Sequence, residues 1–412
     1  MCGTGRLVTE RGRPSAEPFP HVVVNARFHA WQFVCLSFPV MSPAAAPPRI
    51  LVADDQADLV EALRLLLKTH GFQMEAVSSP DAALRAVQRG GFDLLLMDLN
   101  YSRCTTSGRE GLDLLSRIRA TDGGLPVMVM TGWGSLDVAI EAMRYGIRDF
   151  VQKPWDGPAL VARLTAEIER SRASHRELDE ARRIQRTLMP ATLPHIDGFE
   201  LAASWQPAGR VGGDCYDAIP LGASRLAITI ADVVGKGVPA ALLMSGLQTA
   251  VRAFASDVMP PDELCASLNR ILGSQVSEGR FISFFCCLLD PTIGVASYSN
   301  AGHYPAVLAR ADGSVERLSA GGPVLGAIPG ATFTRGVVEL GAGDRLVLYT
   351  DGLTEARRAD DEEFGEDRLV DEIVANRGCS APALTSRVVD AVSTFTGGVF
   401  QDDATLVVLA AG

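Results

Sequence analysis

The chain has 412 residues, 47% hydrophobic and 21% charged, an ordinary globular balance with room for two domains of ~100–200 residues each. A formal net charge of −11 argues against non-specific nucleic-acid binding through a basic face. The eight cysteines form no C-x-x-C pair, which argues against a zinc knuckle or a thioredoxin-like site and fits a reducing cytoplasm.

Residues 1–47 read as a poorly ordered extension. The apolar stretch 21–40 is interrupted by Asn25, Arg27, His29 and Gln32, so neither a membrane span nor a secretory signal is expected there.

The region 48–158 alternates apolar strands with helical patterns. Arg49 to Ala53 ends in Asp54-Asp55, Leu94 to Met97 ends in Asp98, Pro126 to Met130 ends in Thr131-Gly132, and Asp149 to Gln152 ends in Lys153-Pro154. Helical stretches follow the first strand and recur near 81–90, 110–120 and 136–145. The alternation predicts an α/β doubly wound parallel sheet, which binds ligands at its C-terminal strand ends. Asp54, Asp55, Asp98, Thr131 and Lys153 all fall there. Acids of this kind can hold Mg2+, one carboxylate can attack a phosphoryl group, and a lysine can stabilise its charge.

This constellation resembles the flavodoxin-like receiver of response regulators. The resemblance implies Asp98 as phosphoacceptor, with Thr131 and Lys153 assisting. It implies Mg2+ held by Asp54, Asp55, Asp98 and the Asn100 carbonyl, and Phe150 at the aromatic switch position. It also implies a sensor histidine kinase as partner. The loop LNYSRCTTSGREG after Asp98 departs from the family in length and in lacking a proline.

Residues 159–195 read as a helical linker. Ala159 to Met189 contains no Pro or Gly, and Pro190 and Pro194 stop the helix. Leu178, Ala181, Gln185 and Leu188 fit an a/d seam, the basis for expecting a homodimer, whereas Ser174, Ser171 and Glu167 in the same register are poor core residues. A single solvated helix is the alternative.

In 196–412, strands are suggested at 199–206, 225–231, 281–290, 294–299, 304–310, 345–350 and 404–410, and helices at 238–255, 261–276, 366–376 and 381–395. Their grouping predicts an α+β sandwich of antiparallel sheets. Acids recur at strand ends: Asp214 after Gly212-Gly213, Asp232 after an apolar run, Asp351 before Gly352, and Asp402-Asp403 before Ala404. Carboxylates gathered this way repel unless a cation neutralises them, and hard divalent ions suit oxygen ligands. The residues alone leave open whether Asp402 or Asp403 takes part. Asp217 is a further candidate acid near the cluster. Lys236 between two glycines is a candidate phosphate contact or a turn residue, and His303 is a candidate general acid or, preferably, a structural residue.

The set GGDCYD, ADVVGKG, SNAGHYPAVL, YTDGLTEA and QDDATLVV, with ARRIQRTLMPATLP before it, resembles the metal-dependent protein phosphatases (PPM family), in particular their bacterial SpoIIE-like branch. The resemblance implies two Mn2+ or Mg2+ ions held by Asp214, Asp232, the Val233 carbonyl, Asp351 and Asp402. It implies hydrolysis of phosphoserine or phosphothreonine on a STAS-type anti-sigma-factor antagonist. The expectation for the multidomain chain is a cytoplasmic phosphatase governed by its receiver, with no nucleic-acid or membrane partner. The alternative is a non-enzymatic docking protein gated by phosphorylation.

Overall fold

The structure is a computed structural model that describes residues 46–101, 109–121, 123–132, 141–147, 149–222, 224–273 and 279–412. The expected N-terminal extension therefore lies outside the described residues, save its last two, as does the first half of the helix expected near 136–145, whose described residues 141–144 are helical.

Five parallel strands form the first sheet: β1 (Arg49–Ala53), β2 (Gln73–Val77), β3 (Leu94–Asp98), β4 (Val127–Thr131) and β5 (Asp149–Gln152), in the order β2-β1-β3-β4-β5. Both faces are covered, which explains the unbroken apolar runs. Ile50 and Val52 join one buried cluster, and Leu51 and Ala53 join the other. The helices α1 (Ala57–Thr69), α2 (Pro80–Arg89) and α3 (Arg109–Thr121) cross between strands.

The long helix α4 runs over Gly157–Leu188, 32 residues, so the expected linker helix is present. The Asp156 carboxylate caps its start by accepting the Ala159 N–H at 2.9 Å, a contact worth about 1 kcal/mol. Leu160, Leu164 and Ile168 complete the first region's core. Glu167 and Ser171, expected as poor core residues, are nevertheless buried, Glu167 pairing with Arg170.

The remaining chain forms two antiparallel sheets. The first has the order β13-β10-β9-β8-β7, with β14 also on β10: β7 (Cys215–Leu221), β8 (Arg225–Val233), β9 (Ile282–Asp290), β10 (Val295–Ala301), β13 (Gly321–Gly322) and β14 (Gly336–Glu339). Among the described strand ladders of these two sheets, the short β10–β13 pairing is the parallel one. The second sheet has the order β12-β11-β15-β16-β6: β6 (Phe199–Gln206), β11 (Ala306–Ala309), β12 (Val315–Leu318), β15 (Arg345–Tyr349) and β16 (Ala404–Ala411).

Side-chain alternation explains the layering. Along β8, Leu226, Ile228 and Ile230 enter the core between the sheets, while Ala231 and Val233 pack under α5 (Val238–Phe254) and α6 (Pro261–Leu272). Along β16, Val407 and Leu409 enter that same core, while Leu406 and Val408 pack under α8 (Glu366–Ala375) and α9 (Ala381–Thr396). The result is helices on both outer faces of a two-sheet sandwich. A short helix α7 (Asp351–Thr354) follows β15.

Candidate functional site

The strand ends bring the acids to one rim of the sandwich. Cys215 opposes Ala231 in the β7–β8 ladder, so Asp214, just before β7, and Asp232, near the end of β8, share an end. Tyr349 opposes Leu406 in the β15–β16 ladder, so Asp351 and the Asp402-Asp403 pair share an end of the other sheet. Two glycines permit this closeness. A Cβ on Gly213 would meet the Val233 carbonyl at 2.9 Å, and a Cβ on Gly352 would meet the Asp403 carbonyl at 2.0 Å.

Asp214 is fully buried. Its Oδ2 accepts hydroxyl hydrogen bonds from Thr350 and Thr405, both at 2.7 Å, and its Oδ1 is buried with no hydrogen-bond partner. Burial and then the Asp232 charge push its carboxyl well above the ordinary carboxylate range, against the pull of the two threonines. Burial, followed by the charges of Asp351 and Asp402, pushes Asp232 up to about 7. Burial, followed by Glu355 and Asp402, pushes Asp351 up to about 6.

The two adjacent acids divide their work. Asp403 is buried and accepts the backbone N–H of Ala208 at 2.8 Å and of Gly213 at 2.6 Å, so it anchors the loop that presents Asp214. Asp402 is half exposed and pairs with Lys236 at 2.8 Å. Asp217 turns away from the cluster and pairs with Arg252 of α5 at 2.6 Å. His303 is buried within the sandwich.

Among the described residues, no three His, Cys, Asp or Glu side chains already form a metal cage. The donor set nevertheless fits divalent cations. It is all oxygen, it is mutually repulsive, and it includes the orphaned Oδ1 of Asp214.

The first sheet carries a second acidic site at its C-terminal edge. Lys153 Nζ lies 2.8 Å from Asp54 Oδ2 and 2.7 Å from Asp98 Oδ2. Burial raises the Asp54 carboxyl, partly opposed by the Lys153 hydrogen bond. Burial alone would lower the Lys153 ammonium, but its hydrogen bonds to Asp54 and Asp98 leave it raised. The Asn100 N–H points back to Asp98 Oδ1 at 3.2 Å, and the Lys153 N–H donates to the Thr131 carbonyl at 2.7 Å. Asp55 sits half-buried beside Asp54, and Phe150 packs half-buried on the core. The structure thus gathers Asp54, Asp98, Asn100, Thr131 and Lys153 on one edge.

Three contributors were not singled out from the sequence as parts of the site. Thr350 and Thr405 hold Asp214, and Gln185 of α4 binds the Gly212 peptide. By spacing alone Gln185 is a seam residue.

These two sites on these two folds define a response-regulator receiver joined to a PP2C-like phosphatase domain. The response regulator receiver family matches residues 50–165, and the Stage II sporulation protein E (SpoIIE) family matches residues 222–411. The chain is 30% identical over 235 residues to phosphoserine phosphatase RsbU of Bacillus subtilis, covering 57% of this chain and 69% of that protein. It is 31% identical over 258 residues to protein IcfG of Synechocystis sp., covering 56% of this chain but only 41% of that protein. The SiaA-PP2C domain of Pseudomonas aeruginosa shares the fold, with a TM-score of 0.51 and 22% identity, over 58% of this chain and 97% of that one. The chain belongs to the SpoIIE/RsbU family of protein serine/threonine phosphatases and carries a response-regulator receiver in front of the phosphatase domain. No helix among the described residues is long and apolar enough to cross a membrane.

Proposed function

We propose that this chain is a cytoplasmic, metal-dependent phosphoserine/phosphothreonine protein phosphatase whose receiver, spanning 48–158, acts through a 159–195 linker on the catalytic region 196–412. In this reading a sensor histidine kinase supplies the phosphoryl group to Asp98, and the substrate is a STAS-type anti-sigma-factor antagonist in a partner-switching circuit. The chain works as a homodimer. The likeness to the phosphoserine phosphatase RsbU supports phosphoserine as the group hydrolysed.

The observation that carries the reading is the rim of Asp214, Asp232, Asp351 and Asp402, where burial and neighbouring carboxylates raise the protonation of Asp214, Asp232 and Asp351. Their carboxylates and the Val233 carbonyl would hold two Mn2+ or Mg2+ ions. Such ions lower the pKa of bound water and bind phosphoryl oxygens. Thr350 and Thr405 fix the rotamer of Asp214, and Asp403 fixes its loop. Lys236, exposed beside Asp402, would meet the charge of an incoming phosphate.

At the other site, Asp54, Asp55, Asp98 and the Asn100 carbonyl would hold Mg2+. Lys153 then stabilises charge on the phosphorylated Asp98, and Thr131 donates to a phosphoryl oxygen. The test is phosphate release from a phosphoserine STAS-domain protein and from p-nitrophenyl phosphate, with Mn2+ or with chelator. Metal-dependent release from both supports the reading. Tight binding of the phosphoprotein without release from either substrate would instead support a docking protein.

A further inference from the structure

His303 follows β10 and reaches into the space between the two acid-bearing sheets. Its backbone is clamped by one side chain: the His303 N–H donates to Asn300 Oδ1 at 2.7 Å, and Asn300 Nδ2 donates to the His303 carbonyl at 2.9 Å. The residue is 6% exposed. Nδ1 lies 2.8 Å from Ser283 Oγ, and Ser283 is the ladder partner of Asp232. Ser283 Oγ also lies 3.4 Å from the Asp232 carbonyl. Its own segment leads into β11, where Val307 opposes Val347 of β15, the strand that Asp351 follows. Its Nε2 is buried with no hydrogen-bond partner.

Burial lowers the imidazole to about 4, with the Tyr349 carbonyl opposing, so the ring is neutral near pH 7. A neutral imidazole offers one donor and one acceptor. Nδ1 is the ring nitrogen that uses this capacity, in its contact with Ser283 Oγ.

We propose that His303 is a positioning residue that ties the Asp232 strand to the Asp351 strand and so sets the separation of their carboxylates for a divalent cation. Asp232 lies on one sheet, Asp351 lies just past the end of a strand of the other, and the two repel, so their spacing needs a fixed element between the sheets. His303 is that element: its ring is held by Ser283 beside Asp232, and its backbone leads into the strand that pairs with β15. The inference rests on the reading of the acidic rim as a metal site.

The test uses the full chain with H303L, H303Q and S283A, read by calorimetric Mn2+ titration and by thermal unfolding in chelator. Loss of such a supporting contact typically weakens metal binding about 10–100-fold. H303L and S283A are therefore expected to weaken Mn2+ binding about tenfold or more, with a smaller fall in kcat at saturating Mn2+, and H303Q is expected to restore most of the affinity. Wild-type Mn2+ affinity in a folded H303L protein overturns the proposal. If H303L does not fold, S283A decides, because it keeps the ring, and wild-type affinity there overturns it equally. If the wild-type chain binds no Mn2+, the metal-site reading itself falls and this inference falls with it.

Discussion

The Gln185 side chain pairs with the peptide of Gly212: its Nε2 donates to the Gly212 carbonyl at 2.6 Å, and its Oε1 accepts the Gly212 N–H at 3.0 Å. Gly212 is two residues before Asp214. Gln185 stands on the helix that begins three residues after the Lys153-Pro154 end of the receiver edge. The same helix is tied to the receiver by Arg163, which donates to the Phe150 carbonyl at 2.9 Å, and by Arg172, which meets Asp93 at 2.8 Å. One helix thus touches β5 at one end and the loop that presents Asp214 at the other.

Gln185→Ala is therefore expected to cost about 1–3 kcal/mol of stability, because two buried backbone groups lose their partners. It should also bring the ratio of phosphatase rates with and without receiver phosphorylation close to one. Rates measured with a small phosphodonor check this, and an unchanged ratio would contradict it.

Inserting two alanines after Arg176 leaves the Gln185 contact in place but rotates the receiver by ~200° about the helix axis. A rigid coupling helix predicts activity locked at one level whatever the state of Asp98. A retained wild-type response would show that the helix is a tether.

The adjacent acids should fail in different ways. Asp403→Ala removes a buried acceptor of two backbone N–H groups and should lower stability by roughly 3 kcal/mol. Asp402→Asn loses an ion pair to a well-exposed lysine, which is worth less than about 1 kcal/mol. It should keep the melting temperature and lose metal affinity. Chelator-treated melting curves beside Mn2+ titrations check both, and matching behaviour of the two variants would break the assignment.

The raised carboxyls make the metal-free protein sensitive to pH. Asp232 sits at about 7 and Asp351 at about 6 when folded, against 3.8 ordinarily. Between those values the folded chain holds protons that the unfolded chain has released. The associated stability is full below the ordinary carboxylate pKa and is lost as pH rises through 6 to 7. Urea unfolding in chelator should therefore show wild type weaker at pH 7.5 than at pH 5.5, with Asp232→Asn reducing the difference. An equal pH slope in the variant would refute the origin assigned to it.

In the receiver, Asp98→Asn should abolish acyl-phosphate labelling by a small phosphodonor with Mg2+. Lys153→Ala should label yet fail to alter phosphatase activity, since the lysine bonded to Asp54 and Asp98 is the group that meets the new charge. Undiminished label on Asp98→Asn protein would point to another acceptor.

Much of this architecture was legible in the sequence where burial is two-sided or strictly alternating. β1, β3, β8 and β16 stand out as apolar runs, and the acids of both sites mark their ends. β7 was missed because Asp217 and Pro220 interrupt CYDAIPL, and β2 because QMEAV has weak strand character. The partners of the acids were not legible at all. Thr350 and Thr405 reach Asp214 across 136 and 191 residues, and only strand register brings them together. Gln185 fitted a heptad seam by spacing, but it is buried against a peptide of its own chain. A helical period shows which face is turned inward, and it does not show what covers that face.

The most direct measurement is phosphate release from a phosphoserine protein substrate by wild type, Asp232→Ala and Asp351→Ala, each titrated with Mn2+ after chelator treatment. Activity is expected to appear with Mn2+ in wild type and to fall by orders of magnitude in both variants, which remain folded. Near wild-type turnover in both variants at saturating Mn2+ would contradict it.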